Sequence, residues 1–159
     1  MRVCSSFVCV IMQSPMSIPY LFLILYLLGA FLSFLYGLWQ TVHHKNPYGL
    51  TPHLLPYGIF VWGDAVVLGF FWSTVSLASI LTHNLHFFLV VQAVFWMVRS
   101  SGEIVYWLLQ QFSSHKRDLP HTLLGHTLFP GESIWFAYQL FWQVVLVISS
   151  VILVYLLQV

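Results

Sequence analysis

Apolar residues in this chain come in four long runs rather than in the short, interrupted stripes of a soluble helix. They cover residues 18–39, 57–81, 87–110 and 134–157. Each is long enough to cross roughly 30 Å of hydrocarbon, which takes about 20 residues of helix. Lipid offers no hydrogen-bond partner to an open backbone, and the runs are too long for barrel strands, so they predict helices. The pattern therefore predicts an all-α, polytopic integral membrane protein, a bundle of four transmembrane helices within residues 16–159.

The connections differ in kind. Between the second and third runs only "THNLH" (residues 82–86) intervenes, a turn short enough to make those helices antiparallel neighbours. The first connection, "QTVHHKNPYGLTPHLLP", holds three prolines and reads as stiff and non-helical. The third, residues 111–133, mixes Leu119, Leu123, Leu124, Leu128 and Phe129 with polar residues, a composition suited to the headgroup region. "PGES" then makes a turn, with Ser133 placed to cap the fourth helix.

Composition agrees with the pattern. Hydrophobic residues make up 60% of the chain and charged residues 6%, where a soluble domain carries about a quarter charged. A net charge of +1 gives no reason to expect nucleic acid or an acidic partner. The expected surroundings are the lipid bilayer, with a homo-oligomer or another membrane protein as candidate partners. Residues 1–15 read as a disordered or interfacial segment. Their apolar stretch "FVCVIM" is shorter than a signal core, and Met12 and Met16 offer alternative starts. Cys4 and Cys9 are too few for a disulfide framework and lack a His at zinc spacing. Counting Lys and Arg in the loops places Lys45, Lys116 and Arg117 on one side and Arg2 on the other, which predicts cytoplasmic loops one and three.

Few charges remain for the spans, and they are concentrated. In "MVRSSGEIVYW", Arg99 and Glu103 stand one helical turn apart, because four residues advance about 400°. Their face continues through Gln92, Trp96, Tyr106 and Gln110 as a polar stripe on an otherwise apolar helix. If the second helix starts at Tyr57, Asp64 lies two turns, about 10 Å, inside it. Glu103 lies about as far in from Gln110 on an antiparallel helix. This equality of depth predicts a buried Asp64–Arg99–Glu103 cluster, with Trp96 stacked on the guanidinium and Gln139 and Gln143 contributed by helix four. Charges at such depth cost at least about 2.5–3.5 kcal/mol each unless paired, and Arg has the planar fork to hold carboxylates. Two acids against one base leave a surplus negative charge, which favours a shared proton.

Three functions follow as expectations. The first is an intramembrane site of Asp64, Arg99, Glu103, Trp96 and Gln143 for a small molecule or a proton. The second is a non-catalytic accessory or assembly subunit whose polar stripe pairs with partner helices. The third is a metal-dependent membrane enzyme built on loop histidines, whose candidates are His43, His44, His53, His115, His121 and His126. No H-E-x-x-H or desaturase-type histidine spacing supports that third reading. Nor do the residues point to a nucleophile, a phosphate loop or a cofactor of any stated kind. On helix one, Gly29, Ser33 and Gly37 recur every four residues and predict close packing, more readily within the chain than between copies.

Overall fold

A computed structural model describes residues 18–114 and 118–158. The segment 1–15, with its two cysteines, and the loop residues His115, Lys116 and Arg117 lie outside the described residues. The fold is all-α. Four helices carry it: α1 Ile18–Val42, α2 Trp62–Leu81, α3 Leu85–Phe112 and α4 Ser133–Gln158. All four are long and apolar enough to cross a membrane. Large apolar side chains are exposed along each of them, among them Leu25, Val67, Leu109 and Val147. Water does not tolerate such a surface over a whole chain, whereas lipid does. This is a multi-pass membrane protein.

The chain divides into two compact units between Phe88 and Leu89. In the first, α1 and α2 run antiparallel in intimate contact, and small residues are the reason. A Cβ on Gly69 would stand 2.8 Å from the Phe34 backbone nitrogen and 3.0 Å from the Ala30 carbonyl. A Cβ on Gly37 would stand 2.8 Å from that of Ala65, and one on Gly29 would collide with the Tyr57 hydroxyl. Ser33 and Ala30 are buried in the same seam, so the small-residue face of helix one packs within the chain. Beside it, Phe22, Tyr26, Trp72 and Phe88 form an aromatic cluster, with Tyr26 at its centre 5.7 Å from Trp72 and 5.2 Å from Phe88.

The first connection is more ordered than its prolines predict. Pro52–Tyr57 forms a short 3-10 helix, which tolerates proline in its first turn. Gly58 then turns the chain in the left-handed region at φ 71°. Thr51 N–H donates to the Phe60 carbonyl at 2.8 Å, and Leu50 bridges Val61. The segment is a closed hook over two buried side chains, Thr51 and Ile59. The same hook corrects the start of helix two, which begins at Trp62 rather than Tyr57, because Gly58 and the extended residues after it break the helical path. The Tyr57 carbonyl accepts instead from the Trp72 indole at 2.9 Å. Burial pushes the Tyr57 phenol above its ordinary pKa.

The turn after α2 closes by two devices at once. His83 takes the left-handed conformation, φ 52°, while Asn84 N–H reaches the Ser79 carbonyl and His83 N–H that of Ile80. That is the Schellman termination, with His in the place usually held by Gly. The Asn84 side chain then accepts from Phe87 N–H at 2.8 Å and caps α3. Ser133, expected to cap α4, is its first residue and donates its hydroxyl to the Pro130 carbonyl.

Candidate functional site

In the second unit the helices meet through long side chains. Trp107 lies 4.6 Å from Tyr138, and Trp96 is stacked near-parallel to Trp142 at 6.4 Å. The amide of Gln111 donates to Gln139 at 2.8 Å and also to the Trp107 carbonyl. Burial of Gln110 and Gln139 requires such partners, since an unsatisfied amide in an apolar medium is costly.

On α3, Arg99 and Glu103 form an ion pair at 3.2 Å. The helical spacing alone achieves it, and it stands near the middle of a 28-residue helix. The pair is not sealed away: the side chains are 27% and 18% exposed on the protein surface. Among the described residues no charged group is fully buried, so the pair lies less deep than the burial expected of it. Two turns before Arg99, on the same face, the side-chain oxygen of Gln92 is buried and has no hydrogen-bond partner among the described residues. Ser100 and Ser101 return their hydroxyls to carbonyls one turn back, Trp96 and Met97, a common way to satisfy small polar residues in a membrane helix.

Asp64 belongs to the first unit and has a local task there. It sits in the first turn of α2, where a carboxylate is favoured by the helix dipole, and its Oδ2 accepts from Phe60 N–H at 3.3 Å. The expectation of a position two turns inside the helix fails because the helix starts five residues later than its hydropathy implies. Gln143 lines a shallow groove of about 250 Å³ on α4 with Leu140, Val144, Val147 and Ile148, and is the polar member of that lining.

His43, His44, His53, His121 and His126 are all exposed. The ring of His44 packs on Trp39 at 4.3 Å, and that of His53 lies 6.0 Å from Trp62. The Nδ1 atom of His126 is 3.1 Å from the Leu123 carbonyl, while His115 lies outside the described residues. Among the described residues, no three His, Cys, Asp or Glu side chains are grouped to hold a metal.

One constellation has no counterpart in the sequence pattern. Asp118, in loop three, accepts from the Tyr106 hydroxyl. Its own N–H donates to the side chain of Gln110 at 3.4 Å, and its carbonyl accepts from the Trp135 indole at 3.0 Å. Further along, the Tyr138 hydroxyl donates to the Leu124 carbonyl. Loop three is thus clipped back onto the ends of α3 and α4. The clue in the sequence was the polar stripe itself, whose last members, Tyr106 and Gln110, continue past Glu103 toward the loop and call for a partner there.

Compared with family models, with curated proteins and with solved structures, the chain matches none.

Proposed function

We propose that this small multi-pass membrane protein carries an intramembrane polar site on its third helix, centred on Arg99 and Glu103, for a proton or a small polar molecule. The observation that carries this reading is the ion pair itself, at mid-helix in a chain with 6% charged residues. Placing charges at that depth costs several kcal/mol and is seldom retained without use. The unsatisfied oxygen of Gln92 on the same face adds a second group able to receive a proton-bearing ligand or a water. Within the second unit Arg99 and Glu103 balance each other's charge. Protonation of Glu103 would weaken its hold on the guanidinium, and a bound cation would compete with Arg99 for the carboxylate. Loops one and three face the cytoplasm in this proposal, on the count of Lys45, Lys116 and Arg117.

A second reading rests on a different observation. The pair is partly exposed, and the neighbouring Ser101 and Gly102 are exposed too, with nothing within 4 Å of a Cβ built on Gly102. A partner helix could approach closely there, which fits an accessory subunit of a membrane complex. One experiment separates the two. The Arg99→Leu/Glu103→Leu protein would be purified, reconstituted in proteoliposomes and compared with the parent for proton flux under an imposed pH gradient. In parallel, native gels of solubilised host membranes would report any larger complex. Loss of flux in a folded double variant supports the site. Absence of flux in the parent, with a large complex that collapses in the variant, replaces it with the subunit reading.

A further inference from the structure

The first unit contains an open cleft of about 370 Å³, lined by Leu32, Ser33, Tyr36, His53, Leu54 and Trp62. That volume falls within the range of small-ligand sites, which combine apolar and aromatic walls with a few polar groups. Two walls are aromatic and nearly perpendicular: the Tyr36 and Trp62 rings lie 4.9 Å apart at 69°. His53 adds a third ring 6.0 Å from Trp62. The walls are held in place from behind. The Gln40 amide donates to the Tyr36 hydroxyl at 2.9 Å, and Gly49 lies so close to the Trp62 ring that an added Cβ would stand 2.9 Å from it. Leu32 continues the cleft one turn along α1, away from loop one and toward the middle of the helix.

The chemistry of this lining is selective. Among the described residues no carboxylate lines the cleft, and the Ser33 hydroxyl gives its proton to the Gly29 carbonyl at 2.7 Å. A primary ammonium entering here would give up water for the few neutral lone pairs of Ser33, Tyr36 and His53 with no counter-charge among the lining residues, a net desolvation cost. A quaternary ammonium has no N–H donor to satisfy and is attracted to the faces of Trp and Tyr. The aromatic end stands where α1 approaches loop one and α2 begins, the level at which Trp and Tyr meet lipid headgroups, and the leucine end points along the span. We propose that this cleft binds a choline-headed membrane lipid, with the trimethylammonium group against Tyr36 and Trp62 and an acyl chain passing Leu32. This site is independent of the Arg99–Glu103 pair.

The test is a titration of the full chain in a maltoside detergent, followed by native mass spectrometry. The probes are dihexanoyl phosphatidylcholine, dihexanoyl phosphatidylethanolamine and tetramethylammonium. Phosphatidylcholine should bind about fivefold or more tightly than phosphatidylethanolamine, and tetramethylammonium should displace it. Tyr36→Phe, which keeps the ring face, should bind like the parent, and Tyr36→Leu should lose about fivefold. Because Tyr36→Leu could also loosen α1, Leu32→Trp supplies a second arm. Leu32 is 62% exposed, so a larger side chain there fills the cleft without entering the core, and binding should fall to background. Equal affinity for the two phospholipids, binding of tetramethylammonium but not of phosphatidylcholine, or normal binding by Leu32→Trp would each overturn the proposal.

Discussion

The two units of this protein hold their helices by different means. In the first, α1 and α2 meet backbone to backbone: Gly37 and Gly69 leave no room even for a methyl group, and Ala30, Ser33 and Ala65 fill the rest of the seam. In the second, α3 and α4 meet through Trp96, Trp107, Gln111, Tyr138, Gln139 and Trp142, side chains long enough to bridge a wider gap. Between helices in lipid there is little hydrophobic gain, so association draws on packing or on interhelical hydrogen bonds. One unit uses the first almost alone and the other leans on the second. The difference teaches where this chain can afford polarity. A seam made of backbone contact leaves no room between its helices for a charged side chain, whereas one made of long amides and indoles tolerates a charged pair beside it.

The sharpest way to break that contrast is one substitution made twice. Gly69→Val should cost about 3 kcal/mol or more, because the added atoms meet the Phe34 backbone and the Ala30 carbonyl, and a helix backbone cannot yield as a side-chain tip can. A Cβ on Gly102 meets nothing within 4 Å, and Gly102→Val should lie within about 0.5 kcal/mol of the parent, since Val is no worse than Gly in a helix. Thermal unfolding in detergent, read by circular dichroism, ranks them. Equal melting temperatures would mean that the close seam contributes nothing.

A smaller effect is expected from the polar seam. Gln139→Leu removes the acceptor at 2.8 Å from the Gln111 amide, which keeps its bond to the Trp107 carbonyl. The cost should be about 0.5–1.5 kcal/mol, the range measured for hydrogen bonds between membrane helices. Asp118→Ala should instead act locally. It releases the Tyr106 hydroxyl while the main-chain bonds to Gln110 and Trp135 can persist. Faster amide exchange in loop three with little change in melting temperature is the outcome to look for. A cooperative loss of the whole second unit would show that the clip, not the amide pair, holds it.

Much of this was legible along the chain, and what was missed has a common cause. Four spans, the tight turn at Thr82–Asn84, the packing face of Gly29, Ser33 and Gly37, and the Arg99–Glu103 pair all follow from hydropathy or from helical spacing, which are local. Helix two was read as starting too early because Tyr57, Gly58, Ile59 and Phe60 are as apolar as the helix that follows. The left-handed Gly58 and the extended backbone after it separate them, and hydropathy is blind to a dihedral angle. Counted from Tyr57, Asp64 falls five residues too far into the helix. Asp118 escaped because its partners come from three places, Tyr106 and Gln110 before it and Trp135 after it. No spacing rule connects them.

The smallest effect on stability should come from the most conspicuous residues. Arg99 and Glu103 pair at 3.2 Å within one helix, and exposed pairs of that spacing contribute about 0.3–0.5 kcal/mol. Their partial exposure on the protein surface puts them in contact with whatever surrounds α3, so the value of the pair depends on that medium. A double-mutant cycle resolves it. Glu103→Leu alone takes away the carboxylate 3.2 Å from the guanidinium, and Arg99→Leu alone takes away the cation that favours the charged form of Glu103. Both single changes should therefore destabilise more than the double change Arg99→Leu/Glu103→Leu, which removes both charges together. The double variant is expected within about 0.5 kcal/mol of the parent, against a loss several times larger for Gly69→Val. That ordering would mean that the charges are dispensable for folding and are kept for what they bind. If the double variant instead loses as much as Gly69→Val does, the pair is a structural element of the second unit, and the division between a packed seam and a polar site collapses.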